Sequence, residues 1–131
     1  MSGFLQDTSV FVALEQGRSV ATAPEGDGRV SVATLTELGV GILRARTAIV
    51  RVGRQQTLTD ARKFVPLAYD EAVGVELAAL LALARDQGRR AGIMDAIIAA
   101  TALVHDLTVW TQDDDFEVLQ ELSPRLRVHR S

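Results

Sequence analysis

Short apolar segments alternate along this chain with longer segments of helical periodicity, and this alternation restricts the fold more than any other feature. Five segments are short and rich enough in apolar or β-branched residues to be predicted as strands: 3–6, 29–32, 64–67, 108–111 and 126–129. Strands that alternate with helices favour a parallel sheet covered by helices on both faces. The chain is therefore predicted to be an α/β protein. Its 131 residues, 47% of them hydrophobic, suffice for a single domain over 1–131 with its own core.

Apolar spacing also places the helices between these strands. Helices are predicted over 8–15, from 33 to about 49, over 57–63, from 70 to a cap at Gly88 and over 95–105, and a turn with a short helix is predicted over 113–122. Gly53 is expected to separate the second helix from the third, and Pro66 predicts that the third strand lies at a sheet edge. Val40 and Leu43 lie outside the main stripe of the second helix, a pattern typical of a partner groove or of a buried helix.

Composition excludes several kinds of site and setting. The chain has no cysteine, so disulfides and thiolate zinc sites are ruled out, and its only histidines are His105 and His129. Residues 1–6 do not combine a basic segment with a long apolar one, so no secretory signal is expected. No apolar run reaches the length of a membrane span, and the expected location is the cytoplasm.

A basic segment stands out against the net charge of −3. Residues 44–63 carry one acid, Asp60, and six basic side chains: Arg44, Arg46, Arg51, Arg54, Arg62 and Lys63. Such a patch can bind a phosphate backbone. It can equally be a solvated helix face whose arginines cover an apolar stripe. Taken alone, the charge pattern favours this second interpretation.

Acidic residues stand where the predicted strands and turns give way to helices. They are Asp7, Glu37, Asp95 and the run Asp113–Asp115. Carboxylates at the ends of different elements can converge in a folded α/β domain, and a cluster of unpaired carboxylates must take up protons or bind a cation. A hard divalent metal ion with oxygen ligands meets that need. Taken together, the acids indicate metal-dependent chemistry.

Each of the first three acids also has a structural interpretation. Asp7 can be a helix N-cap. The segment 34–37, Thr-Leu-Thr-Glu, fits an S/T-x-x-E capping box, which favours a structural role for Glu37 when it is considered alone. Asp95 can stabilise the start of the following helix. If its carboxylate is buried it needs a partner, and the arginines at 89–90 are the nearest candidates in the sequence.

The acidic run after the fourth predicted strand is the least resolved of the acidic motifs. Asp114 with Glu117 can form a box-like helix start. Asp113 lies nearest the end of the strand and Asp115 lies near the first turn of the following helix. Spacing does not choose between them, and both remain candidate site residues.

Four short motifs, taken in order, resemble those of a PIN domain, and specifically of a VapC-type toxin ribonuclease of a type II toxin–antitoxin system. They are the segments Asp7–Phe11, Thr34–Leu38 with Gly41 behind it, Asp95–Ala100 and Thr111–Phe116. Each motif is short, but the four occur in the family's order and at its usual spacing, and together they cover nearly the whole chain. No acid of the pattern is missing.

The resemblance implies a PIN-like three-layer sandwich, in which helices flank a small central parallel sheet. It also implies an acidic pocket that binds Mg²⁺, with Mn²⁺ able to substitute, and that hydrolyses RNA phosphodiester bonds. The implied direct metal ligands are Asp7 and Asp95. The implied catalytic set is completed by Glu37, Asp113 and Asp115. The hydroxyls of Thr8 and Ser9 are implied to support the same pocket. The implied partners are the RNA substrate, a second copy in a homodimer and a cognate VapB-type antitoxin that blocks the pocket.

Other protein classes fit the residues less well. A phosphatase with an aspartyl nucleophile usually has a second acid two residues after the first, where this chain has Ser9. A signalling receiver domain needs a late lysine, and the only lysine is Lys63. No G-x-G-x-x-G motif follows the first strand, which argues against dinucleotide binding. The remaining alternative is a catalytically silent PIN-like module that binds protein or RNA and whose acids only cap helices.

Overall fold

A parallel five-stranded sheet with six helices forms the part of the chain that the computed structural model describes, residues 3–131. The elements in chain order are β1 (Gly3–Gln6), α1 (Thr8–Glu15), β2 (Gly28–Ser31), α2 (Val32–Leu43), α3 (Ala48–Ala61), β3 (Val65–Leu67), α4 (Glu71–Asp86), α5 (Ile93–His105), β4 (Leu107–Thr111), α6 (Asp115–Leu122) and β5 (Arg127–Arg130). The predicted α/β class and all five strands are confirmed, with strand ends that differ by at most one residue.

The order of the strands creates a crevice beside β1. The sheet runs β3-β2-β1-β4-β5, and every neighbouring pair is parallel. The chain therefore builds outward from β1 to β3 on one side, then crosses to β4 on the other. Such a reversal leaves a crevice beyond the carboxyl ends of the two strands on either side of it, where open α/β sheets usually bind ligands. The edge position that Pro66 predicts for β3 is confirmed.

Alternate residues of the central strands face two separate apolar layers. Leu5 and Val109, opposite each other in the β1–β4 register, belong to a core formed with α4, α5 and α6. Phe4 and Trp110 belong to a cluster on the other face, where their rings meet edge to face at 5.6 Å. This alternation follows from the two-residue period of a strand. It fixes which way the residues at the strand ends point.

The predicted boundaries of the second and third helices are wrong. The predicted helix over 33–49 is divided, because α2 ends at Leu43 and α3 begins at Ala48. Thr47 is the N-cap of α3, and its hydroxyl accepts a hydrogen bond of 3.2 Å from the Val50 amide. Gly53 lies inside α3 and does not interrupt it. Packing of α3 against α1 and α2 outweighs the low helix propensity of one glycine.

The predicted capping box at 34–37 is also wrong. Ser31 is the N-cap of α2, and its hydroxyl accepts a hydrogen bond of 3.0 Å from the Ala33 amide. Thr34 lies inside the first turn and is fully buried. Glu37 is thereby one turn too far along the helix to cap it, and its side chain is free for another role.

In residues 3–131 no helix is long and apolar enough to cross a membrane.

Candidate active site

A cleft of about 290 Å³ lies at the carboxyl ends of β1 and β4, in the crevice made by the strand order. Its lining contains side chains from α1, the loop after α1, α2, α5 and the β4–α6 turn: Asp7, Thr8, Ser9, Val12, Arg18, Glu37, Asp95 and Asp113. The structure thus brings together four of the five candidate site residues. Acids that are far apart in the chain meet because β1 and β4 end, and α2 and α5 begin, at the same edge of the sheet.

Asp7 is the most firmly held of these acids. It is the N-cap of α1, it is only 2% exposed, and its Oδ2 accepts hydrogen bonds from the Ser9 hydroxyl at 2.6 Å and the Thr111 hydroxyl at 2.9 Å. The Ser9 amide donates to the same oxygen at 3.3 Å. The N-cap interpretation and the site interpretation of Asp7 are therefore compatible. One carboxylate oxygen anchors the helix while the residue lines the cleft.

Ser9 and Thr111 connect this anchor to the segment that carries Asp113. The Ser9 hydroxyl accepts from the Gln112 amide at 2.9 Å, and the Thr111 hydroxyl accepts from the Asp113 amide at 3.0 Å. The two hydroxyl oxygens lie 3.1 Å apart. The two hydroxyl groups that hold Asp7 therefore also position the segment that carries Asp113. The role of Thr111 was not predicted, because it depends on the β1–β4 register, which places Thr111 beside Asp7.

Glu37 reaches the cleft from α2 and bonds to α1. Its Oε1 accepts a hydrogen bond of 2.7 Å from the Thr8 hydroxyl, which also lies 3.1 Å from the Thr34 hydroxyl. Burial raises the pKa of Glu37, and the charges of Asp7 and Asp113 raise it further, while the hydrogen bond from Thr8 opposes this shift. The capping box that offered a structural role for Glu37 does not form, and Glu37 lines the cleft instead.

Asp95 is the most perturbed acid of the cleft. It lies in the first turn of α5, whose N-cap is Gly92. Burial, followed by the charges of Asp7 and the other acids, raises the pKa of Asp95 to about 7. Arg89, a candidate partner from the sequence, pairs instead with Glu121 at 2.7 Å. The helix N-terminus offsets only part of this charge repulsion.

The acidic run divides into three different environments. Asp113 lines the cleft, and burial together with the charges of Asp7 and Asp115 raises its pKa. Asp114 is the N-cap of α6 but makes no capping bond with its side chain, and it pairs with Arg130, so the predicted box-like start is wrong. Asp115 lies in the first turn of α6, outside the cleft lining, though its charge raises the pKa of Asp95.

The donor set of the cleft fits a hard cation. The four acids that line the cleft offer carboxylate oxygens, which are the ligands that hard divalent ions prefer. A divalent ion would also relieve the repulsion between these carboxylates. In residues 3–131, no group of three or more acidic or histidine side chains is arranged to hold one ion. Mg²⁺ commonly takes only one or two protein carboxylates and keeps several waters. Two protein carboxylates can therefore be enough to hold Mg²⁺, without a group of three.

The basic segment divides between two places. Arg44 and Arg54 line a second cleft of about 300 Å³, which shares Thr8 and Glu37 with the acidic one. The Arg54 guanidinium is anchored by a 2.6 Å hydrogen bond to the Gly41 carbonyl. Lys63, at the other end of α3, pairs with Asp60 at 3.3 Å. Of the six basic side chains in this segment, Arg44 and Arg54 line the cleft that adjoins the acidic one.

A parallel α/β sheet with carboxylates gathered at its switch point defines an α/β protein with an acidic cleft where such sheets usually bind ligands. Comparison with known families specifies it: residues 4–122 match the family model described as PIN domain. The chain belongs to the PIN-domain family.

The relatives within this family include curated proteins of Mycobacterium tuberculosis (strain ATCC 25618 / H37Rv). The chain is 38% identical to Ribonuclease VapC4 over 119 residues, which cover 90% of this chain and 92% of the relative. It is 41% identical to Ribonuclease VapC5 over 114 residues, 86% of this chain and 84% of the relative.

The fold is likewise similar to that of a solved toxin–antitoxin protein. A crystal structure of VapBC-5 from Mycobacterium tuberculosis, a member of the VapBC family of toxin-antitoxin systems, contains a chain that matches with a TM-score of 0.88. The sequences are 33% identical, and the match covers 100% of both chains. The PIN-like arrangement of sheet and helices expected from the sequence is confirmed.

Proposed function

We propose that the protein is a metal-dependent endoribonuclease that acts as the toxin of a toxin–antitoxin pair. The observation that carries this proposal is the convergence of Asp7, Glu37, Asp95 and Asp113 on one cleft from separate elements. The names of its relatives, Ribonuclease VapC4 and Ribonuclease VapC5, support RNA as the substrate. The whole domain over 1–131 would act as one unit in the cytoplasm.

Asp7 and Asp95 are the residues proposed to hold Mg²⁺ or Mn²⁺. When bound, the ion would offset negative charge on the phosphate and lower the pKa of a water molecule. Asp7 is suited to this role because Ser9 and Thr111 hold its carboxylate in one orientation. Asp95 is suited to it because burial and the neighbouring acids, which raise its pKa, disfavour its charged form, and a cation would offset that cost.

Glu37 is the proposed acceptor of the proton from the attacking water. Neither histidine of the chain lines the cleft, which leaves a carboxylate or a hydroxide on the metal ion to handle the proton, and the carboxylate is favoured here. The raised pKa of Glu37 makes its carboxylate a stronger base than an ordinary glutamate, and the Thr8 hydroxyl fixes its orientation. Asp113 completes the acidic lining of the cleft and is proposed to help hold the ion.

The RNA backbone is proposed to continue from the acidic cleft into the second cleft. The two clefts share Thr8 and Glu37, so a strand that crosses the acids reaches Arg44 and Arg54 directly. Guanidinium groups bind phosphate oxygens in a fixed, two-pronged geometry. The order of contacts would therefore be carboxylates at the reacting phosphate and arginines at a neighbouring one.

An antitoxin is proposed to cover the surface between α1 and α3. A cavity of about 440 Å³ opens there, with Phe11, Leu14 and Phe64 among its lining residues. Leu14 is 55% exposed at this cavity, and an apolar surface open to solvent is a candidate contact for a partner. The solved VapBC-5 complex supports a VapB-type partner, and a homodimer is part of the same proposal.

The test of the nuclease proposal uses purified protein and a mixture of fluorescent single-stranded RNA oligonucleotides. Cleavage is expected in Mg²⁺ or Mn²⁺, loss of cleavage in EDTA, and recovery when metal is restored. Asp95→Asn, prepared in the same way, is the control for a contaminating nuclease and should be inactive. RNA binding without cleavage under all these conditions would instead favour the silent binding module.

Metal binding can be measured without any activity. Because Mg²⁺ relieves carboxylate repulsion only in the folded cleft, saturating Mg²⁺ should raise the melting temperature by roughly 3 °C or more. An equal ionic strength of NaCl controls for general screening. The shift should largely disappear in Asp95→Asn. A shift of the same size in that variant would place the ion elsewhere.

The toxin part of the proposal is tested in cells. Induced expression should arrest growth, and co-expression of the small protein encoded beside the gene should relieve the arrest. Sequencing of RNA 5′ ends after brief induction would identify the cleaved RNA, with Asp7→Asn as the matched inactive control. If cells grow normally while they express a protein that is shown to cleave RNA, the toxin role is refuted and the nuclease activity stands.

A further inference from the structure

Arg18 differs from the other lining residues of the acidic cleft because it is the only basic side chain among them. It belongs to the loop after α1 and not to the basic segment at 44–63. Its positive charge lowers the pKa of Asp113 and so opposes the other influences on that acid. The guanidinium is therefore close enough to affect the cleft, and its contribution has the opposite sign to that of every acid there.

The backbone of Arg18 is held by the end of α1. Gly17 has a φ of +70°, and the amides of Gly17 and Arg18 donate to the carbonyls of Leu14 and Ala13 at 3.2 and 2.9 Å. This is the paired hydrogen bonding of a Schellman cap, which a glycine permits because it accepts a positive φ. One short helix thus has Asp7 at its start and Arg18 just beyond its end.

The residue after Arg18 is tied to the segment that carries Asp113. The Gln112 side chain donates a hydrogen bond of 2.9 Å to the Ser19 carbonyl. Position 18 is consequently fixed from two sides, by the cap of α1 and by the β4–α6 turn. A side chain on such a backbone loses less freedom on binding a ligand than one on an unrestrained loop.

The guanidinium itself has no partner in the described part of the chain. Four arginines of residues 3–131 pair with carboxylates: Arg89, Arg125, Arg127 and Arg130. Arg18 forms no such pair and donates no side-chain hydrogen bond within residues 3–131. Its donors are available to a ligand.

We propose that Arg18 binds a phosphate of the RNA strand at the rim of the acidic cleft, on a different element from Arg44 and Arg54. The proposal rests on the proposed ribonuclease function and specifies how that site accepts an anion. A phosphodiester entering a cleft of carboxylates is repelled, and a metal ion offsets only the charge near the reacting phosphate. A guanidinium offers a flanking phosphate two parallel hydrogen bonds as well as charge.

The test compares Arg18→Gln and Arg18→Lys with the matched control Arg85→Gln. Arg85 is an exposed arginine near the end of α4, away from the cleft lining. For each protein, kcat and KM are measured with a single-stranded RNA oligonucleotide in Mg²⁺. Binding of the same RNA is measured against KCl concentration by fluorescence anisotropy, with each change placed in the Asp95→Asn background to prevent cleavage.

Arg18→Gln should raise KM about fivefold and change kcat much less, as expected for the loss of one exposed charge contact. It should also reduce the slope of log affinity against log salt by about 0.7, because one fewer counterion is released from a single strand. Arg18→Lys should keep the salt slope and recover part of the KM. Arg85→Gln should match the parent in all three quantities.

Several results would overturn the assignment. An unchanged salt slope and KM in Arg18→Gln would do so, as would an equal loss in Arg85→Gln, which would indicate a general charge effect. A fall in kcat with KM and slope unchanged would mean that Arg18 acts on the carboxylates and not on RNA. If the parent protein does not cleave RNA, the proposed function fails, while the salt slopes still decide whether Arg18 contacts RNA. Melting curves for Arg18→Lys confirm that the substitution leaves the fold intact.

Discussion

The starts of α1 and α5 place an aspartate in the same cleft in opposite ways. At α1, Asp7 is the N-cap, and its carboxylate accepts hydrogen bonds from Ser9 and Thr111. At α5, Asp95 lies in the first turn of a helix whose cap, Gly92, makes no side-chain bond, and the pKa of Asp95 is raised to about 7. The first acid is stabilised by its surroundings and the second is destabilised by them.

The difference shows that a structural role and a chemical role are not exclusive. Asp7 supports the fold while it lines the cleft, so it is held in position before any ligand arrives. In the metal-free protein, the carboxylate of Asp95 repels the neighbouring acids. A bound cation would relieve that repulsion. We expect a cation at the proposed site to gain most of its affinity from Asp95, whose carboxylate is the less stabilised of the two.

The largest expected effect is on activity. Asp7→Asn and Asp95→Asn should each reduce RNA cleavage on the order of 100-fold or more, because each removes a proposed metal ligand and with it several kcal/mol of charge stabilisation. The measurement is kcat/KM for a fluorescent RNA oligonucleotide in Mg²⁺. Asp86→Asn, an exposed acid at the end of α4, is the control and should be unaffected. Full activity in either cleft variant would remove that residue from the site.

The next effect concerns the unresolved pair in the acidic run. Asp113→Asn should lower kcat/KM by about tenfold or more, whereas Asp115→Asn should lower it by less than about threefold, a difference of roughly 1 kcal/mol in the barrier. The reason is that Asp113 lines the cleft and Asp115 acts on it only through its charge. Equal losses in the two variants would show that both carboxylates reach the reacting groups.

The comparison also predicts stability changes of opposite sign in EDTA at neutral pH. Thr111→Val should lower the melting temperature by about 5 °C, because it removes a buried donor to Asp7 and an acceptor for the Asp113 amide without a large change in volume. Asp95→Asn should raise it by about 1–3 °C, because it removes a repelling charge. Destabilisation by both substitutions would mean that Asp95 also supports the fold.

The last effect is a pH dependence of the free energy of unfolding in metal-free buffer. The pKa of Asp95 is raised from 3.8 in its ordinary state to about 7 in the folded protein, so between these values the folded state holds a proton that the unfolded state has lost. The free energy of unfolding should therefore fall as pH rises from about 4 to 7 and level off above that. The contribution of Asp95 is the difference between the melting temperatures of the parent and Asp95→Asn across this range. Parallel curves would show that the carboxylate titrates normally.

Much of the fold could be predicted because its signals are local. Apolar runs and helical spacing identified all five strands and the α/β class, and Pro66 indicated an edge strand. The errors arose where several local signals competed. Thr34 and Glu37 fit a capping box, yet Ser31 caps the helix and Thr34 is buried within it. Nothing in the spacing of 31–37 ranks one possible cap above another.

The candidate site was predicted as a set of residues but not as an arrangement. The order of Asp7, Glu37 and Asp95 at element starts indicated the set, and the motifs indicated the family. Thr111 and Arg18 were missed because their roles depend on contacts between distant segments. The Thr111 hydroxyl reaches an acid 104 positions earlier in the chain. Their signals were weak: a threonine at the end of a predicted strand, and an arginine after Gly17 at the end of a predicted helix.

The sequence by itself determined the periodicity of each segment, the order of strands and helices, and the presence of acids at the points where helices begin. These properties depend on neighbouring residues, so they can be found without knowledge of the fold. The tertiary structure decided which acids meet, which of Asp113 and Asp115 lines the cleft, and that Arg18 faces the carboxylates. These properties depend on strand register and on crossovers between parallel strands, because such pairing is set by packing across the whole domain and not by local spacing.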